Sequence, residues 1–123
     1  MVEIQKELLP PHAILSYSEK DIRIQNEYYT HTTMVTQAEI YNTQSILSPQ
    51  SLNQDSFKSI NLEGIEVIII GHSGTFAEIS FELRQAFATQ QVGIEVMNLG
   101  AACRTFNILL SEGRGVLGVF VVA

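Results

Sequence analysis

The stretch Gly93-Ile-Glu-Val-Met-Asn-Leu-Gly-Ala-Ala-Cys-Arg-Thr-Phe-Asn-Ile-Leu-Leu-Ser-Glu-Gly-Arg114 decides the fold of this chain. Ile94, Val96 and Leu99 read as a short buried strand and its exit, and a helix follows with Gly100 at the junction. In that helix Ala102, Phe106, Leu109, Leu110 and Gly113 recur at helical spacing and define the buried side. Arg104, Asn107 and Ser111 form the opposite polar row. Cys103, the only cysteine, and Arg104 fall in the helix's first turn on this reading. Gly113-Arg114-Gly115 stops the helix, and Val116 to Val122 is a final buried strand.

Upstream, Ile65 to Ile70 is an apolar run broken only by Glu66 and stopped by Gly71, the mark of a strand covered on both faces. After the loop Gly71-His72-Ser73-Gly74, apolar Ile79, Leu83, Ala86 and Phe87, with Phe76 as a further candidate, define a second helix. Its start is either a capping box at Thr75 to Glu78 or an N-cap at Ser80, and Gly93 closes it. The C-terminal half is therefore β-α-β-α-β, which favours right-handed crossovers and parallel strands. The Gly71 and Gly100 loops then share the C-terminal ends of their strands, where open α/β sheets gather ligands.

The N-terminal half reads as a β-meander. Ala13 to Ser16 and Asp21 to Ile24 are strands joined by Ser18-Glu19-Lys20, and Glu27 to Gln44 supplies two or three more antiparallel strands. Residues before Pro10-Pro11 form an extended arm. Ser45 to Gln54 is a loop, and a short helix from about Gln54 to Ile60 is capped by Asn53. Residues 1–123 make one α/β domain.

Composition narrows the function. An apolar fraction of 46% and a charged fraction of 16% belong to a globular chain. Seven Lys and Arg in a net charge of -6 argue against a nucleic-acid surface. A lone cysteine excludes an internal disulfide and fits a reducing, cytoplasmic setting. No secretory signal is evident, and no apolar run is long enough to span a bilayer. His12 and His31 lack partners at metal-ligand spacing, so no metal site or cofactor is expected.

The candidate pocket residues are Gly71, His72, Ser73 and Gly74 on one loop, with Gly100, Cys103 and Arg104 at the other. A helix N-terminus and Arg104 would lower the Cys103 pKa and make it a nucleophile paired with His72. The alternative carries more weight, because lone cysteines are among the most buried residues. Arg104 with the amides of residues 100–102 either binds an anion or pairs with Glu78 or Glu95. Asn107, Glu112 and Arg114 read as structural ties between the last helix and the loops.

Four segments carry a resemblance: Val67-Ile-Ile-Ile-Gly71, Glu82-Leu-Arg84, Gly93-Ile-Glu-Val-Met97, and Ala101-Ala-Cys-Arg-Thr-Phe-Asn-Ile-Leu-Leu-Ser-Glu-Gly-Arg114. Together they resemble the Mth938-like domain family of uncharacterised proteins, related to a mitochondrial complex I assembly factor. The chain departs from that family's pattern at Gly71-His72-Ser73, where Gly-Thr-Gly is common, and at Leu99, where threonine is common. The resemblance implies a compact three-layer domain acting through protein contacts. The leading expectation is thus a non-enzymatic interaction or assembly-type factor with a protein partner, able to self-pair through an edge strand of the meander. The alternative is an anion- or small-molecule-binding domain, or a thiol enzyme, using the two loops.

Overall fold

The computed structural model describes residues 1–3, 9–43, 46, 48–74 and 78–122. Four short antiparallel strands lie side by side in chain order: β1 (Val2–Glu3), β2 (Ile14–Tyr17), β3 (Ile22–Ile24) and β4 (Glu27–Tyr29). A second sheet of five contains β5 (Thr33–Val35), β6 (Ile40–Asn42), β7 (Val67–His72), β8 (Gly93–Asn98) and β9 (Val116–Val121). Its order is β6-β5-β9-β7-β8, with β7 parallel to both neighbours and β5 antiparallel to β9 and β6. The expected meander is therefore divided between two sheets. Met34 and Val35 explain the division: both are fully buried, in clusters on opposite sides of the large sheet. Only a position inside a sheet covered on both faces satisfies both side chains.

One helix covers each face of the large sheet. Ile68 and Ile70 of β7, with Leu117, Val119 and Val121 of β9, point to the side of α1 (Phe81–Ala88), where Leu83 and Phe87 meet them. Ile69, Val116 and Phe120 point to the other side, against Leu99, Ala102, Cys103 and Phe106 of α2 (Leu99–Ser111). Phe106 and Phe120 pack edge to face at 5.4 Å, an arrangement that adds about 1 kcal/mol beyond the area it buries. The small sheet closes over α2 through Ile14, Ile22 and Ile24.

Asn107 fastens that layer. Its Nδ2 donates to the Ile14 carbonyl at 3.0 Å, and its Oδ1 accepts from the Ile14 N–H at 2.8 Å. Asn107 is buried, which corrects the expected polar row. Arg104 and Ser111 do face outward, but Asn107 faces β2 and pairs with the main chain of Ile14.

Local chemistry sets the ends of the elements. Asn98 caps α2 by accepting from the Ala101 N–H at 2.9 Å, so the helix starts one residue before Gly100. At its other end Gly113 takes φ +73°, and the N–H groups of Gly113 and Arg114 donate to the carbonyls of Leu110 and Leu109. Such a left-handed residue after the last turn is the Schellman ending, which favours glycine. Ser80 caps α1, accepting from the Leu83 N–H at 3.1 Å. The rival start at Thr75 falls partly outside the described residues.

Four boundaries differ from expectation. β7 runs on through Gly71 to His72, which stay paired with both β8 and β9, and Gly71 lies against α2, where a Cβ would sit 2.5 Å from the Cβ of Ala102. α1 ends at Ala88, and Gly93 opens β8 rather than closing the helix. Asn53 does form a capping box, but with a 3-10 turn over Gln54–Phe57 rather than a helix reaching Ile60. The extended arm gives way to a turn at its described end, where the Ala13 N–H donates to the Pro10 carbonyl; residues 4–8 of the arm lie outside the described set. Among the described residues no helix is long and apolar enough to cross a membrane.

Candidate functional site

In the parallel part of the sheet His72 of β7 is level with Asn98 of β8 and Val121 of β9. The C-terminal ends of these strands therefore finish together, and a cleft of about 620 Å³ opens there. Three segments line it: the β2–β3 turn at residues 17–20, the exit of β7 at residues 72–74, and the start of α2 at residues 98–100. Arg104 lies one helical turn further on, and Val2 of β1 completes the rim.

The site depends on a close approach. A Cβ on Gly100 would sit 2.5 Å from the Tyr17 hydroxyl oxygen, so glycine there lets the small sheet reach across the start of α2. Tyr17 in turn holds Arg104, whose Nη1 donates to its hydroxyl oxygen at 3.2 Å. That overturns the pairing of Arg104 with Glu78 or Glu95. Among the described residues the ion pair is Arg114 with Glu66 at 3.2 Å, at the other end of β7. There the Arg114 hydrogen bond and the Gly115 N–H hold the Glu66 carboxyl below its ordinary pKa. Arg114 thus joins the end of α2 to the start of β7 through a carboxylate.

His72, Ser73, Gly74, Gly100 and Arg104 come together at the cleft, whereas Gly71 and Cys103 lie beneath it in the core. His72 is the last residue of β7 rather than part of a loop, and it is 8% exposed. Its ring has no hydrogen-bond partner among the described residues. Cys103 is the fifth residue of α2, past the first turn, and is fully buried. Burial pushes its thiol up to about 12, far outweighing the opposing pull of Arg104. The expectation of a lowered pKa is thereby reversed: an apolar enclosure disfavours thiolate more than a nearby cation favours it. Among the described residues no three His, Cys, Asp or Glu converge in a way that could hold a metal.

Sequence reasoning missed Tyr17, Lys20 and Asn98. Asn98 carried a usable signal, since an asparagine just before a helical run is a favoured N-cap. Nothing local marks Tyr17, because its place at the cleft comes from the packing of one sheet on a helix of the other half. The assembled site offers two cations, Lys20 and Arg104, with the Ser73 hydroxyl and the Tyr17 ring. These groups can attract and orient an anionic ligand.

The model of a family described as protein of unknown function (DUF498/DUF598) matches residues 14–121. A human protein, NADH dehydrogenase [ubiquinone] 1 alpha subcomplex assembly factor 3, is 32% identical over 69 residues, covering 54% of this chain. The match spans only 38% of that human protein. Among solved structures, a Xanthomonas campestris protein determined by NMR superposes with a TM-score of 0.81 at 22% identity, covering 96% of this chain and 89% of that one. A Bartonella henselae protein described as an outer membrane protein gives 0.77 at 28% identity, covering 91% and 96%. A Bordetella pertussis protein described as a Mth938-like domain gives 0.74 at 18% identity, covering 98% and 91%.

Proposed function

The chain belongs to the DUF498/DUF598 family of proteins of unknown function, and from that membership we propose that it is a non-enzymatic protein-interaction factor of the assembly type. The likeness to the human assembly factor is the observation that carries this reading. The cleft supports it from the physical side. Its polar groups are suited to holding a ligand, and the one thiol is sealed in the core with its proton firmly held. A catalytic thiol needs access and a lowered pKa, and Cys103 has neither. In this reading the protein works in the cytoplasm, where an unpaired cysteine stays reduced.

The test is capture of the tagged full chain from its own cells, followed by reconstitution of each captured protein in purified form. The expected result is at least one partner that binds directly and in fixed stoichiometry. Recovery of the tagged chain alone, at expression levels matching the native one, overturns the proposal.

A further inference from the structure

Resting on the interaction reading above, the geometry points to the chemistry of the partner segment: an acidic stretch of another protein, lying in the cleft between the β2–β3 turn and the start of α2. The chain carries a net charge of -6, yet the cleft is lined by Lys20 and Arg104 and by one acid, Glu19. An acidic segment is repelled by most of this surface and drawn to this mouth, so the charge pattern selects both the ligand's sign and its place of landing.

Arg104 is set up for a carboxylate. Its Nη1 is engaged by the Tyr17 hydroxyl, and its remaining guanidinium nitrogens have no hydrogen-bond partner among the described residues. A planar guanidinium held at one corner keeps a fork of donors for a bidentate carboxylate and loses less side-chain freedom on binding. Apolar surface lies beside the cations: Val2 is 45% exposed, and the Tyr17 ring forms a wall. A peptide uses both kinds of surface, with carboxylates on the cations and aliphatic carbon on the ring, whereas an inorganic anion uses only the first.

The experiment is fluorescence anisotropy with the intact chain and a labelled peptide of alternating glutamate and leucine. Comparison peptides carry glutamine or lysine in place of glutamate, and inorganic phosphate serves as competitor. The expected result is binding of the glutamate peptide alone, weakened about tenfold or more in the Lys20→Glu/Arg104→Glu variant and by added salt. Lys58→Glu, an exposed change away from the cleft that shifts the net charge by half as much as the double variant, leaves binding unaltered. Equal binding of the glutamine peptide, or full binding by the double variant, overturns the inference. So does complete displacement by phosphate at ionic strengths too low to screen the pair, which indicates a simple anion site. If a captured partner binds the double variant as tightly as the natural chain, this inference fails while the interaction reading stands. If no partner is ever captured, it is that reading that fails.

Discussion

At Gly71 a single methyl group is enough to disturb the packing of β7 on α2. Its carbon would lie 2.5 Å from the Cβ of Ala102, and neither atom belongs to a flexible side chain that can move aside. Gly71→Ala is therefore expected to cost about 1–3 kcal/mol in urea unfolding, as overpacking of a close-packed core does. Adding Ala102→Gly should restore part of the loss, a coupling that a double-mutant cycle reads directly. Cys103 makes a second residue-level prediction, about pH. The thiol loses its proton near 9.0 when unfolded but holds it to about 12 when folded. Across that window the unfolded state binds fewer protons, so stability falls as pH rises from 9.0 and is unaffected by this group below it. The urea midpoint of the natural chain should thus decline more steeply above pH 9.0 than that of Cys103→Ala. Parallel slopes contradict the buried-thiol account. The sequence offered both readings of Cys103, and the choice depended on whether the core enclosed it, which helical spacing alone does not tell.

At the level of elements, α2 is clamped from both sides, by the large sheet through Phe106 and by β2 through Asn107. Asn107→Leu leaves the Ile14 N–H and carbonyl buried without partners and is expected to destabilise by about 2–4 kcal/mol. In hydrogen exchange the amide of Ile14 should lose its protection before those of β7. If protection at Ile14 is unchanged, the clamp is not what holds the small sheet. The helices and the parallel strands were legible because their apolar periodicity is local: Leu83 and Phe87 announce α1 whatever surrounds it, although Ile79, read into the same stripe, precedes the Ser80 cap. Asn107 was misplaced for the complementary reason. Helical spacing puts it in a row with Arg104 and Ser111, and only the strand beyond it turns a polar row into a buried hydrogen-bond partner.

Across the whole molecule, the N-terminal strands are divided between two sheets, and the turn at residues 17–20 of the small one lines the cleft with the start of α2. Sequence periodicity does not encode that division, since Met34 and Val35 look alike until two opposite cores claim them. The convergence of the β7 and β8 exits was legible from topology alone. The Tyr17–Arg104 contact, which joins residues 87 positions apart, was not. In the proposed reading a partner protein docks at this end of the sheet. Amide chemical-shift mapping of the isotope-labelled chain against a purified captured partner tests it most directly. Shifts clustered at residues 17–20, 72–74 and 98–104 are predicted; shifts confined to the opposite end, around Glu66 and Arg114, would contradict it.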